Sequence, residues 1–377
     1  RKALSSKFSI DERTNVSEIG HRKEELDTPF LWVDLDTMER NIEQLSQYFA
    51  KAGVNWRPHT KGVKVPAIAH RAISAGAIGV TCAKLGEAEV MVASGIRDIL
   101  VANQVVGRHK ITRLANLCRQ ADIIVAVDDA ENIAAIGQAA VEKDTEVGVL
   151  VEVETGMERA GVTPGQAAVE LSLLAAGTEG INYQGVMAWE GHAVGVFEPA
   201  EKREIIEKSI GLLVQSAEMC REAGLEVPIV SGGGSGTYKV TPFLSGITEI
   251  QAGGAIFNDP RYSLRHVETD ICIFVRSMVT SRPTTDRLIF DAGFKALPSL
   301  FGEPVVMGIS DVEEVATSAE HLVMKLSKAN SKVHVGEAFD FQLGYIDATL
   351  FLHDFLYGVR NGIVETVWPI LGRGKLR

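Results

Sequence analysis

Apolar and polar positions follow two regimes along this chain, with a change near Pro260. The run Phe30-Leu31-Trp32-Val33-Asp34-Leu35 is aromatic and β-branched, which predicts a strand. Asp36-Thr37-Met38-Glu39 then reads as a capped helix start, continued by Ile42, Leu45 and Phe49 at helical spacing. Short apolar runs follow near 54–58, 78–82, 99–103, 123–127, 147–153, 183–189, 229–231 and 250–252. Amphipathic segments long enough for helices, such as 85–94 and 201–223, separate most of them. Eight strands alternating with helices is the pattern of a parallel (β/α)8 TIM barrel. An open doubly wound sheet alternates in the same way. The count of eight favours the barrel, as do the polar residues gathered at strand ends: Lys61, Asn103, Asp128, Glu154, His192 and Ser231.

Beyond Pro260 the runs 271–280, 287–291, 305–309, 322–326 and 338–343 read as strands separated by turns, with little helix. The pattern therefore predicts an N-terminal segment, 1–36, whose strand joins a β domain. A barrel follows at 37–261, and a mainly β C-terminal domain at 262–377. Residues 1–28 are polar and irregular and are expected on the surface.

Composition narrows the class. With 377 residues, 46% of them hydrophobic, the chain can bury a large core. A formal net charge of -11 and the absence of a basic face argue against nucleic acid. Cys82, Cys118, Cys220 and Cys272 are too scattered for a metal knuckle or redox motif, and read as reduced thiols of a cytoplasmic protein. No apolar run approaches the ~20 residues that span a bilayer. The start, Arg1-Lys2-Ala3-Leu4, lacks an apolar signal core and an initial Met, which implies a trimmed N-terminus.

Five stretches carry candidate chemistry. Lys61, in Arg57-Pro58-His59-Thr60-Lys61, closes a strand at the end of a barrel where active sites sit. It reads either as a surface lysine or as one that forms a Schiff base with an aldehyde. Ser231-Gly232-Gly233-Gly234-Ser235-Gly236-Thr237 and Gln251-Ala252-Gly253-Gly254-Ala255 follow the seventh and eighth strands. Backbone N–H groups at such glycine turns bind phosphate oxygens. Arg159 follows the fifth strand, as a surface cation or a donor to an anionic oxygen. His192, in Trp189-Glu190-Gly191-His192, is either a general base or a histidine packed under a loop.

Together with Thr155-Gly156-Met157-Glu158-Arg159-Ala160-Gly161, Asp347, His353-Asp354 and Val367-Trp368-Pro369, these stretches resemble the D-threonine aldolase and D-serine dehydratase-like family. Its members are pyridoxal phosphate enzymes of the alanine racemase fold. The resemblance implies that Lys61 holds pyridoxal phosphate as a Schiff base, with His59 in the same pocket. It implies that Ser235, Gly236, Thr237, Gly253 and Gly254 take the phosphate and that Arg159 sits by the phenolic oxygen. Gln251 would face the ring nitrogen and hold the ring without fully protonating it. Relatives carry a histidine that binds a divalent metal (Mn²⁺, Mg²⁺ or Zn²⁺) where this chain has Tyr345. A phenol is a poor ligand for such an ion at neutral pH, which leaves Asp347 as the one matching metal ligand.

The expected activity is retro-aldol cleavage of a D-3-hydroxy amino acid to glycine and an aldehyde, with His192 as base. The alternatives are dehydration of a similar substrate, or racemisation with Lys61 and Tyr345 on opposite faces. The partners expected are a small amino acid substrate and, by resemblance, a second copy of the chain in a homodimer, with no nucleic acid and no membrane.

Overall fold

The computed structural model of the protein describes residues 18–377, so most of the expected N-terminal surface segment lies outside the described residues. Strand β1 (Phe30–Asp34) runs directly into helix α1 (Leu35–Ala52). The helix begins one residue earlier than its sequence suggests, because the Asp34 carboxylate accepts the Thr37 N–H at 2.8 Å and caps it.

Eight parallel strands follow. They are β2 (Asn55–Trp56), β3 (Val80–Cys82), β4 (Asp98–Gln104), β5 (Asp122–Val127), β6 (Val147–Glu152), β7 (Ile181–Met187), β8 (Ile229–Gly232) and β9 (Glu249–Ile250). Their order around the sheet is β2-β9-β8-β7-β6-β5-β4-β3. The two ends meet where Ile78 N–H donates to the Trp56 carbonyl and Thr81 N–H to the Pro58 carbonyl, each at 2.9 Å, which closes the ring.

Six helices connect successive strands from β2 to β8: α2 (Pro66–Ser74), α3 (Leu85–Ala93), α4 (Arg108–Cys118), α5 (Ala130–Glu142), α6 (Gln166–Ala176) and α7 (Pro199–Glu222). Between β8 and β9 the chain makes only a short helical turn, and α1 packs beside the ring at its closing edge. There the Asn41 amide donates to the Ile256 carbonyl at 3.0 Å, and the Phe49 and Trp56 rings lie 5.9 Å apart. Alternation along the strands divides the apolar residues. Leu100, Ile124, Ala126, Leu150 and Met187 form their own small cluster, with Ala102 packed against it. Ile99, Val101, Val125 and Val149 join the larger core shared with the helices.

The C-terminal part is built from β10 (Ile273–Thr284), β11 (Arg287–Phe290), β12 (Val305–Val306), β13 (Val312–Thr317), β14 (Leu322–Leu326), β15 (Ala338–Gln342), β16 (Phe355–Arg360) and β17 (Ile363–Pro369). They order as β13-β14-β11-β10-β1-β16-β17, with β15 also on β10 and β12 on β15. Strand β1 lies antiparallel to β10 and parallel to β16. Two short helices interrupt the run of strands: α8 (Pro260–Ser263), ahead of β10, and α9 (Ile346–Leu350), between β15 and β16.

Three of these strands were not anticipated. Strand β13 is an exposed edge bearing Glu313 and Glu314, so it lacks a buried apolar face. Strands β16 and β17 form a hairpin through Asn361 and Gly362, whose φ values are +52° and +77°. An Asn-Gly pair with both residues at positive φ is the strongest short hairpin signal. Replacing Gly362 by Ala would force a side chain into the left-handed region. This is expected to cost about 1 kcal/mol, seen as a lower urea midpoint, whereas Asn361→Gly should be close to neutral.

Candidate active site

At the foot of the site is a guanidinium. Arg57 follows β2 and is 2% exposed. Its Nε donates to Glu249 Oε2 at 2.8 Å, and its Nη1 pairs with Asp98 at the start of β4. Glu249 Oε1 accepts the Ser231 hydroxyl at 2.7 Å, and Ser231 Oγ in turn accepts the Gln251 amide N–H at 3.0 Å. Four strand segments are thereby joined by one fully hydrogen-bonded buried network, which is what buried charge requires.

From Arg57 the chain rises through His59 into the turn Thr60–Gly62, which carries Lys61. Thr60 Oγ1 donates to the Thr81 carbonyl at 2.9 Å, and His59 Nδ1 accepts the Lys61 N–H at 3.3 Å. Desolvation, then the neighbouring cations Lys61, Lys64 and Arg159, hold the His59 imidazole neutral well below its ordinary pKa. With Nδ1 as acceptor, the ring proton resides on Nε2. Behind the turn, Lys64 adopts φ +53° and pairs with Glu87, itself 2% exposed.

The glycine turns form the second wall. Glu190 is fully buried. Its carboxylate accepts the Gly233 N–H at 3.2 Å and the Thr241 hydroxyl at 2.6 Å, which fixes the first turn from behind. Ser235 Oγ accepts the Ala255 N–H at 2.9 Å and ties the first turn to the second. At Gly253 a Cβ would collide with the backbone of His59, so only glycine lets these segments approach. Among the described residues, no protein acceptor takes the N–H groups of Ser235, Gly236, Gly253 or Gly254. All four residues line a cavity of about 210 Å³ that also exposes Lys61 and Arg159.

The third wall comes from the β domain. Asp259 accepts the Tyr262 N–H at 2.7 Å and the Ile346 N–H at 3.2 Å, stapling α8 to α9. Burial pushes the Asp259 carboxyl up to about 6. One residue into α9, Asp347 reaches back into the cavity. Its Oδ2 lies 3.4 Å from Lys61 Nζ and accepts the Tyr345 hydroxyl at 3.0 Å. Burial, reinforced by the Asp347 charge, raises the Tyr345 phenol above its ordinary pKa and keeps it protonated. The Tyr345 ring lies under the Arg261 guanidinium at 4.8 Å and meets Phe301 edge-on at 5.5 Å.

Comparison with known proteins agrees with this arrangement. Residues 33–260 match the alanine racemase N-terminal domain, and residues 272–359 match the putative serine dehydratase domain. The chain is 33% identical over 356 residues to a D-threonine aldolase of Arthrobacter sp, covering 93% of this chain and 94% of that one. It is 34% identical over 367 residues to a 3-hydroxy-D-aspartate aldolase of Paracoccus denitrificans (strain Pd 1222), covering 94% of each. The crystal structure of D-threonine aldolase from Filomicrobium marinum superimposes with a TM-score of 0.93 at 34% identity, over 95% of this chain and 98% of that one. The chain belongs to the D-threonine aldolase and D-serine dehydratase-like family of the alanine racemase fold. Pyridoxal phosphate is the cofactor this family implies.

Against that family pattern, Lys61, His59, Arg159, Ser235, Gly236, Gln251, Gly253, Gly254 and Asp347 come together at one cavity. Arg159 is held at its rim by Glu152, Nη2 to Oε1 at 3.3 Å. Thr237 turns inward instead, its hydroxyl accepting the Gly234 N–H at 3.1 Å. His192 is not brought to the cavity. Its Nε2 lies 3.2 Å from Ser209 Oγ on α7, and Gly156 leaves room for its ring. His192 stands at the end of a strand as its sequence suggests, and its imidazole meets α7 rather than lining the cavity. Tyr345 reaches the cavity only through Asp347.

The metal also fails a fit test. Asp347 already accepts the Tyr345 phenol, and His353 is turned away, Nε2 2.8 Å from the Ala296 carbonyl. Among the described residues, no three His, Cys, Asp or Glu side chains group as a metal site. This donor set does not suit a divalent ion. Residues missed at the sequence level are Glu190, Glu249, Asp259, Arg261 and Tyr262. The one available signal was Glu190, two residues from His192 in the same motif.

The neutral His59 makes stability pH-dependent. The unfolded chain protonates this residue near pH 6.5 and the folded chain only well below that. Its contribution is complete above about pH 6.5 and is lost as pH falls. Comparing urea midpoints at pH 7.5 and 5.5, His59→Asn should remove up to about 1.4 kcal/mol per pH unit of the acid-side slope.

Proposed function

We propose that the protein is a pyridoxal-phosphate-dependent carbon–carbon lyase that cleaves D-3-hydroxy amino acids to glycine and an aldehyde. The observation that carries this reading is Lys61 facing Asp347 across a cavity whose opposite wall offers four unclaimed backbone N–H groups. A phosphate suits those N–H groups and an aldehyde suits Lys61, so the residues fit the cofactor. Ser235, Gly236, Gly253 and Gly254 would hold its phosphate, Arg159 its phenolic oxygen and Gln251 its ring nitrogen. When bound, the cofactor supplies an electron sink conjugated with the substrate's α-carbon.

This chain's own residues handle the protons. Among the described residues lining the cavity, Asp347 is the one carboxylate, and it takes the proton of the substrate's 3-hydroxyl as the carbon–carbon bond breaks. Tyr345 donates to Asp347 and fixes the carboxylate's direction. Lys61 Nζ, 3.4 Å from Asp347, delivers the proton that the α-carbon of the departing glycine requires. Racemisation would need Tyr345 as a second base on the α-carbon. A phenol held protonated by burial and committed as a donor to Asp347 is unsuited to that role. Dehydration requires help for a leaving hydroxide, which the donor set around Asp347 does not favour.

We further take the enzyme to act as a cytoplasmic homodimer. Support comes from four free cysteines and from the exposed apolar side chains Phe294, Leu300 and Phe301, the last of which packs on Tyr345.

The test is to incubate the cofactor-loaded protein with D- and L-3-hydroxy amino acids and identify products. Glycine plus aldehyde from the D-series is expected; a keto acid with ammonia, or an inverted amino acid, would replace this reading with dehydration or racemisation. Asp347→Asn should lower kcat/KM by about 10²–10⁴-fold, and Tyr345→Phe by roughly tenfold. Chelation followed by dialysis should leave the cleavage rate unchanged. A loss restored by Mn²⁺ would overturn the assignment of Asp347 as the base.

A further inference from the structure

A second cavity lies on the other side of the Ser235–Gly236 segment, sharing those two residues with the first. Its volume is about 500 Å³, and it is walled by α7, by Thr237–Val240, by the 265–268 segment and by Tyr48 of α1. The charged and titratable groups facing it are Lys202, Arg203, Lys239, Arg265, His266 and Glu268, with the hydroxyls of Tyr48 and Tyr238. Arg203 is paired with Glu207 at 3.2 Å, and Lys239 with Glu268. His266 Nε2 lies 3.4 Å from the Phe197 carbonyl.

Lys202 and Arg265 are different. Among the described residues, neither pairs with a carboxylate. Lys202 is 6% exposed, and its ammonium makes one hydrogen bond, to the Arg265 carbonyl at 3.2 Å. An ammonium has three donors, so two are left over. Arg265 uses Nε on the Val194 carbonyl at 2.8 Å and Nη1 on the Arg261 carbonyl at 2.7 Å, which leaves Nη2 uncommitted. Burial lowers both pKa values, helped by Arg265 for Lys202 and by Arg261 for Arg265, whose guanidinium also feels Asp259 and lies over the Phe197 ring at 5.3 Å. Two such cations beside a cavity are unfavourable unless an anion joins them.

We propose that this second cavity is an oxyanion site in which Lys202 and Arg265 take a phosphate dianion, free or as the end of a small phosphate ester. The charge of two unpaired cations matches a dianion. The guanidinium's planar donors suit phosphate oxygens, and the ammonium suits a point contact. The Tyr48 and Tyr238 rings, 5.3 Å apart and edge-to-face, give the cavity room and an apolar wall for an ester's organic part. This site is separate from the proposed cofactor cradle, although both use the same loop from opposite sides.

The test is calorimetric titration of the full chain after cofactor loading and borohydride reduction, which keeps the cradle filled. The adduct's absorbance reports separately on whether loading occurred. Inorganic phosphate and glycerol phosphate are titrated at constant ionic strength. Saturable binding of one equivalent per chain is expected, and the tighter of the two ligands identifies the source. Lys202→Met should weaken binding roughly 30-fold or more, without lowering the melting temperature of the ligand-free protein, because it removes an uncompensated charge. Lys202→Arg, which keeps the charge, should retain binding. Absence of saturable binding by either ligand, or equal binding in Lys202→Met, would overturn the proposal.

Discussion

Arg57 is a guanidinium with almost no access to water, and the cavity end of the barrel is arranged around keeping it paired. Breaking a buried pair of this kind costs about 3–5 kcal/mol, because the remaining charge is left uncompensated. Its partners come from β4 and β9, so pairing it ties the end of β2 to its neighbour β9 and, past β3, to β4. Lys61 follows four residues later on a turn that has little freedom to move. Through Glu249 and Ser231 the same network reaches Gln251 and fixes its amide. Because Ser231 gives its proton to Glu249, it can only accept from Gln251. The amide nitrogen must face Ser231, which leaves the amide oxygen as the free acceptor.

The cavity is completed from two parts of the chain. The barrel brings Lys61 and the two glycine turns, and the segment around α9 brings Asp347 and Tyr345. The Asp259 staple between α8 and α9 holds this seam. In the proposed chemistry, Tyr345 and Asp347 form a hydrogen-bonded acid–base pair where relatives of the family carry a metal-binding histidine. The phenol gives Asp347 a direction without neutralising it, and Lys61 supplies the balancing charge.

Much of this was legible because the barrel repeats a simple rule. Short apolar runs ended by polar residues located the eight strands, and glycine clusters after the last two located the cradle. The rest depends on side-chain direction and long-range contact. The His192 imidazole meets Ser209 of α7, a long-range contact that strand position does not determine. Glu190 is held by Gly233 and Thr241, long-range partners with no local signature in the sequence. Asp347 had no local signal; the family resemblance alone pointed to it. Strand β13 lacks an apolar face, and the Asn361-Gly362 pair marks the β16–β17 hairpin by its turn chemistry rather than by an apolar run.

The placement of β1 and α1 has a bearing on how the chain is made. Strand β1 is sandwiched between β10 and β16, and α1 packs against residues that follow the last barrel strand. Strand β1 and helix α1 therefore leave the ribosome well before the segments that complete them. Closing β1 against β10 and β16 joins segments far apart in the sequence, a kind of contact that forms slowly and leaves an apolar strand uncovered until it is made.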